Sequence, residues 1–391
     1  MSNPNRVRLR AVVCCAALVL SPVIAGAQQA DKAAEKPAKT AADRFGTRPI
    51  LTDAQWQKLD AAVDRGLVFI AKQQSLDGSF PTEASGQPAV TALCVIAFLS
   101  RGHIPNEGPY GKQLVRALDY VLDAQALDGT LMVQRVDRIG IAHFEGNYNH
   151  AISGLMLGEA YGMAPATHQE RMRTAIDLAL RLTRQQQTRP KRNPRERGGW
   201  RYMRRFGVSD SDLSVTAWEL MFLRSARNAE FDVPKEWIDE GMNYVRQTFS
   251  TDEGAFRYGL QGEDDYVSRG MAGAGIVALA LGGDHNTDVA KKAGDYILRN
   301  GFERYNRSRH NEDRYHYSAY YCGQAMFQLG GDYWFNFFPG FLDVLAKNQN
   351  SDGSWAAESN MNDSKYGNVY STALAVLALT PPYQLLPIYQ R

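Results

Sequence analysis

One seven-residue phrase, written repeatedly along the chain, limits its possible folds more than any other feature. Gln349-Asn350-Ser351-Asp352-Gly353-Ser354-Trp355 has close copies in Gln74-Ser75-Leu76-Asp77-Gly78-Ser79-Phe80 and Gln125-Ala126-Leu127-Asp128-Gly129-Thr130-Leu131. Looser copies are Arg197-Gly198-Gly199-Trp200 and Glu253-Gly254-Ala255-Phe256. The shared glycines, at 78, 129, 198, 254 and 353, are separated by 51, 69, 56 and 99 residues. The last gap is close to two units, so one copy has eroded. A period near fifty residues means a repeat architecture, in which no unit buries its apolar face alone.

Each copy has a readable physical role. An apolar-periodic helix precedes the Gln, and the Gly supplies the left-handed position that ends it. The Asp side chain can hold backbone N–H groups in the turn. The aromatic then leaves in a fixed direction and wedges between helices. A second, more apolar helix follows, so each unit is a helical hairpin with a stapled corner.

The pattern Gln-x-x-Asp-Gly-Ser-Trp/Phe resembles the repeat of the prenyltransferase and squalene-cyclase superfamily, over most of the chain from about Leu59 to Thr380. That resemblance implies an all-α fold, an α/α toroid of six helical hairpins in an inner and an outer ring. Residues 51–380 are expected to form this toroid, with 381–391 as a capping tail.

The N-terminus is expected to be an export signal. Arg6, Arg8 and Arg10 make a basic start, 11–24 an apolar run, and Ala25-Gly26-Ala27 a small-residue cleavage site. The run is short for a membrane span. Cleavage near Ala27 predicts an extracytoplasmic protein, periplasmic or secreted, with 28–50 as a tether and no transmembrane span in the mature chain. A retained anchor, or lipid attachment at Cys15, is the alternative. The net charge of +2 would become −1 once the three arginines leave, which argues against a nucleic-acid partner. Cys14 and Cys15 would leave too; Cys94 and Cys322 fall in the first and fifth units and are expected to be buried free thiols.

Outer and inner helices are predicted in pairs: 53–73 with 90–99, 114–125 with 151–161, 172–187 with 214–224, 236–249 with 268–281, 289–300 with 317–329, and 334–349 with 371–379. An expanded basic loop, 188–197, is kept non-helical by Pro190 and Pro194. If the ring closes, every loop running from a corner into an inner helix opens on one mouth. His143, Glu145, Tyr148, His150, Trp218, Asp264, His310, Asp313 and Tyr317 are expected there, with Glu263, Glu312 and His316 nearby. Acids and imidazoles around one concavity make the default site. The plainer reading is that carboxylates favour helix N-termini.

Two segments carry candidate chemistry. Asp210-Ser211-Asp212-Leu213-Ser214-Val215-Thr216-Ala217 resembles the Asp-x-Asp-Asp-Thr-Ala motif of class II terpene cyclases, which implies Asp212 as proton donor with Asp210 beside it. Either alignment register loses one carboxylate, and Asp212 or Ser214 could equally be an N-cap. Asp313-Arg314-Tyr315-His316 is similar to the zinc-ligating segment of protein prenyltransferase β subunits, which implies Asp265 and His316 as metal ligands. Val267 stands where that family has its cysteine, so the soft ligand is missing. The expectation is therefore no cofactor, with zinc as the alternative, and His316 as a catalytic or structural residue.

Many aromatics, among them Tyr148, Tyr202, Trp218, Tyr258, Tyr266, Tyr317, Tyr366 and Tyr370, could wall a cavity for a carbocation, a cationic ligand or stacked sugars. Trp200, Phe256 and Trp355 are expected to be corner wedges. The functional expectation is an exported terpene-cyclase-like toroid acting on or binding a hydrophobic polyprenyl or terpenoid ligand. The alternatives are a prenyltransferase-like enzyme, a non-catalytic binding or scaffold toroid, and a carbohydrate-active α/α barrel with a carboxylate pair such as Asp212 and Asp265.

Overall fold

The computed structural model describes residues 44–133, 142–307 and 313–389, and the expected leader and most of the expected tether lie outside them. Six outer helices alternate with six inner ones. The outer set is α1 (Asp53–Gln73), α3 (Gly111–Asp123), α5 (Ala166–Gln187), α7 (Lys235–Gln247), α9 (Asp288–Arg299) and α11 (Gly331–Lys347). The inner set is α2 (Ala89–Leu99), α4 (Ala142–Ala160), α6 (Leu213–Asn228), α8 (Arg269–Leu281), α10 (Tyr315–Leu329) and α13 (Gly367–Leu379). A four-residue helix, α12 (Met361–Ser364), precedes α13. Most residues of the inner helices are buried on all sides, whereas the outer helices bury one stripe.

The repeated corner is a device for joining neighbours. In four units the Gln side-chain amide donates both to its own corner glycine's carbonyl and to a carbonyl of the next outer helix. Gln74 reaches Gln113 O at 2.8 Å, Gln125 reaches Ala175 O at 2.8 Å, and Gln187 reaches Trp237 O at 2.8 Å. Gln349 reaches back to Ala62 O at 2.8 Å, so the sixth unit grips the first and the ring is closed. Trp334 Nε1 donates to Ile50 O at 3.0 Å across the same seam, and α13 packs on both α1 and α2.

Close approach explains the glycine. Gly353 has φ +93°, and a Cβ there would sit 2.3 Å from Arg65 O; Gly78, Gly129 and Gly198 meet the following outer helix in the same way. The Asp carboxylate accepts from the N–H two residues on, at 2.9–3.0 Å in three corners. Trp200, Phe256 and Trp355 are fully buried wedges. The wedge N–H of Phe80, Trp200 and Trp355 donates to Thr91, Thr216 and Thr372 of its own inner helix, each at 3.0 Å.

Two corners differ. The fourth is a β-hairpin, with Phe249–Ser250 paired to Ala255–Phe256, and a Cβ on its Gly254 would meet no atom of the next outer helix closer than 3.9 Å. The fifth is the eroded copy. Buried Phe302 is its wedge, and Arg269 donates to Gly301 O at 2.7 Å while pairing with buried Asp313. Cys94 and Cys322 are buried and free, as expected.

The tail lies where the inner helices end. Ile388 N–H donates to Glu159 at 3.2 Å, and the Tyr389 hydroxyl meets that of Tyr320 at 2.8 Å, so 381–389 folds over this end of the ring. No described helix is long and apolar enough to cross a membrane.

Candidate functional site

A cavity of about 630 Å³ opens at the other end, where the inner helices begin. All six corner-to-inner-helix segments contribute to it: Ser85 and Gly86, Glu145 and Tyr148, Tyr202 and Phe206, Tyr258 to Tyr266, Arg314 and Tyr317, and Asp363 to Tyr370. This convergence follows from closure, since each inner helix enters from the same side. The floor is apolar, made by Val90, Leu93, Ile152, Trp218 and Leu374.

The walls are aromatic and rigidly coupled. Tyr258 stacks on Tyr266 with centroids 5.3 Å apart, and Phe144 meets Tyr202 and Phe206 edge-on at 4.9 and 4.7 Å. Tyr148 donates to Ser214 at 3.0 Å, and Ser214 shares a 2.6 Å hydrogen bond with Tyr317. Burial, foremost among the causes, raises the phenols of Tyr148, Tyr258 and Tyr317, so they stay neutral.

Charge sits at the rim as pairs. Arg314 meets Asp363 at 2.9 Å, and Tyr370 donates to the same carboxylate at 3.2 Å. Burial works against Arg314, but the Asp363 carboxylate holds it well above the ordinary guanidinium value. Lys365 meets Glu145 at 2.6 Å. Among the described residues, three lining groups keep a polar atom without a protein partner: the Ser85 hydroxyl, Glu145 Oε2 and the indole N–H of Trp218. Buried polar atoms are nearly always bonded, so these three are hydrogen-bonding positions left for a guest.

Of the residues expected at the mouth, Glu145, Tyr148, Trp218, Asp264 and Tyr317 line the cavity. His150 does not. It is buried behind the wall, where its Nδ1 stands 3.4 Å from Leu131 N–H in the place that Thr takes in other corners, and burial brings its pKa down to about 4. Asp313 is used by Arg269 in the fifth corner. The His143 side chain, His310 and Glu312 lie outside the described residues.

Asp212 is fully buried and is not among the lining residues. It is the N-cap of α6, accepting from Val215 N–H at 2.8 Å, and its other oxygen meets Arg201 at 3.3 Å. Burial lifts its pKa to about 6, although Arg201 and the cap bond oppose the rise. Asp210 faces a separate basic notch and is gripped by Arg192 at 2.8 Å. Asp265 pairs with Arg257 at 3.0 Å. His316 is fully buried, with Nδ1 3.3 Å from Glu358 and Nε2 3.4 Å from Tyr305. Asp265 and His316 are thus engaged with different partners, and no cluster of three or more His, Cys, Asp or Glu suited to a metal ion occurs among the described residues.

Arg314, Asp363, Lys365 and Phe144 escape the sequence reading. Arg314 and Asp363 are 49 residues apart, and α12, which places Asp363, has no periodic signature.

No family profile matches the chain, and no curated protein matches it. Solved structures do. A variant of the type II terpene cyclase MstE from Scytonema, in complex with geranylgeranyl dihydroxybenzoate, superposes with TM-score 0.58 at 16% identity, covering 86% of this chain and 100% of that one. An inactive variant of the α-1,6-mannanase GH76A of Salegentibacter, with α-1,6-mannotriose, gives 0.54 at 12% identity over 84% and 99%. A glycosidase variant in complex with glucose gives 0.54 at 13% identity over 86% and 100%. At such identities the likeness establishes the α/α toroid.

Proposed function

We propose that the chain binds an amphipathic ligand of the terpenoid class in this cavity, and that Asp212 is not a proton donor to it. The observation carrying this reading is the combination of an apolar floor with ring-faced walls in a space of about 630 Å³. Ligand cavities of about 300–1,000 Å³ bury most of a drug-sized molecule. A hydrocarbon body would cover Val90, Leu93, Ile152 and Leu374, while an oxygen substituent would accept from the Trp218 indole. Glu145 Oε2 would accept from a hydroxyl nearer the rim. The terpene-cyclase neighbour, which holds a prenyl chain on a polar aromatic head, supports the class of ligand.

Protonating an alkene requires an acid in contact with it. Asp212 stands behind Tyr202 and Tyr258, held by a cap bond and an arginine. Replacing it by Asn is therefore expected to lower stability by about 1–3 kcal/mol, through the weakened cap and the loss of one of the two carboxylates of buried Arg201. Terpenoid affinity should stay within about twofold, as measured by calorimetric titration. A complete loss of ligand turnover or binding in a variant that melts like the parent would contradict this.

A second reading is favoured by the many tyrosine hydroxyls and the rim carboxylates Glu145, Glu263, Asp264 and Asp363, which suit a sugar. The glycosidase neighbours belong with it. Titration with geranylgeraniol, a prenylated phenolic acid and α-1,6-mannotriose separates the two. Saturable binding of the prenyl compounds alone is expected; binding of the trisaccharide alone would transfer the cavity to carbohydrate.

We place the protein outside the cytoplasm on the strength of the Arg6–Ala27 pattern. Sequencing the mature N-terminus is expected to begin at Gln28; an intact Met1 on a protein retained in the cytoplasm would refute it.

A further inference from the structure

A second concavity lies on the other side of Tyr202, and it belongs to the expanded basic loop. It is lined by Arg189, Lys191, Arg201, Arg204 and Arg205, together with Asn147, Ser209 and Asp210, whose carboxylate is held by Arg192. The carboxylates around it are already committed. Asp210 takes Arg192 through both oxygens, Asp212 and Asp264 share Arg201, and Glu196 accepts from Asp210 N–H and Gln261.

Three of the cations, Arg189, Lys191 and Arg205, donate to neutral carbonyls. Arg189 donates to Met203 O at 2.6 Å, Lys191 to Asp210 O at 3.1 Å, and Arg205 to Pro190 O at 2.6 Å, with Asp210 3.6 Å away. A carbonyl orients a cation without neutralising it. Like charges therefore crowd here. Burial, together with repulsion from Arg205, lowers Arg189, and burial brings Lys191 down to about 8 despite Asp210.

The base of the notch is built but unfilled by protein. Arg201 is 7% exposed, and its Nε has no partner. Ser209 is fully buried, and its hydroxyl is likewise unpartnered. Unpaired buried donors beside Arg189 and Lys191, which donate to carbonyls, are the complement of an oxyanion. The notch as a whole has about 30 Å³ of room, more than the roughly 10–15 Å³ that one water needs, and it opens outward past Arg189 and Arg205. Arg189 and Arg205 are exposed and stand at the rim, where they could close on an anion's outer oxygens.

We infer that this notch is a phosphate-type oxyanion site, held by Arg189, Lys191 and Arg205 with the Ser209 hydroxyl beneath. It is independent of the terpenoid reading of the main cavity. The anion is either free phosphate or a phosphate group carried on a larger molecule, and both share this chemistry.

The test is titration of the full chain with inorganic phosphate, hexyl phosphate and hexanol at constant ionic strength. Saturable binding of phosphate is expected, and none of hexanol. Hexyl phosphate binding about as well as phosphate identifies a free ion; a gain of about tenfold or more identifies a carried phosphate. The Arg189→Gln/Lys191→Gln double variant should weaken binding at least about tenfold, since each charge-assisted bond contributes more than a neutral one. Lys72→Gln, an exposed lysine on α1, should leave it unchanged. Ser209→Ala, which alters no charge, should weaken it several-fold and provides the readout if the double variant fails to fold. The site is refuted if phosphate does not bind the wild type, or if affinity survives both Ser209→Ala and the double variant.

Discussion

The corners and the cavity wall are built from the same six loops, yet they obey opposite rules. A corner repeats: Gln349, Asp352, Gly353 and Trp355 make the bonds that Gln74, Asp77, Gly78 and Phe80 make. The wall never repeats. Each unit contributes a different set, from Ser85 and Gly86 in the first to Arg314 and Tyr317 in the fifth. Closure is fixed by the shared corner chemistry, which leaves the first turns of the inner helices free to differ. Variation there changes what the cavity holds without opening the ring.

The sharpest way to break this contrast is at the glycines. Gly353→Ala places a methyl 2.3 Å from Arg65 O in a left-handed backbone, whereas Gly254→Ala, in the hairpin corner, meets nothing nearer than 3.9 Å. Thermal or urea unfolding should show a loss of about 3–5 kcal/mol for the first, in the range of buried backbone strain with overpacking. The second should lose only about 1 kcal/mol, the cost of a left-handed non-glycine residue. Equal losses would mean that the corner glycines act through conformation alone.

Gln349→Ala should cost somewhat less, about 2–3 kcal/mol, because it removes two hydrogen bonds of 2.8 Å donated by the amide and the one its oxygen accepts from Arg65 across the seam. Ligand affinity measured below the melting transition should not change. A variant that stays as stable as the parent would show that the seam is held by packing alone.

The packing between the rings, neither corner nor wall, is tested by pH through two buried acids that do not line the cavity. Burial lifts Glu219, on α6, to about 8, and Glu159 to about 7. An acid whose pKa is higher in the folded state binds more protons folded than unfolded, so its effect on stability worsens as pH rises. Both groups therefore make the protein less stable as pH climbs from about 4.5 to about 8. Glu219→Gln should flatten that slope and raise the melting temperature at pH 8, while the value at pH 5 changes little. An unchanged slope would mean that Glu219 titrates alike in both states.

The sequence conveys these two regions unequally, for a physical reason. A corner is local and periodic: Gln, Asp, Gly and an aromatic within seven residues bring their own geometry. Thus α1 begins and ends as predicted, with Thr52 and Gln55 forming a capping box. The wall is non-local. Its helices start earlier than their apolar runs suggest, α4 at Ala142 rather than near 151 and α13 at Gly367 rather than near 371, because their first turns are polar and face the cavity. Glu145, Tyr148, Trp218, Asp264 and Tyr317 could be found from topology once closure was assumed. Arg314 with Asp363 could not, since only the folded ring brings them together. Conversely, His150, Asp313 and His316 have the composition of a site, but their side chains turn towards neighbouring elements, and nothing in spacing reveals that turn.

The proposed terpenoid guest of the cavity that all six units form, with its apolar floor and aromatic walls, can be sought directly. The most direct test is calorimetric titration of geranylgeraniol into the wild type and into Ile152→Trp, which fills the floor from α4 without touching a corner. The expected result is saturable binding to the wild type and an affinity at least about tenfold weaker in the variant, with both folded at the measuring temperature. Equal affinity in the two proteins would place the ligand elsewhere and contradict the account.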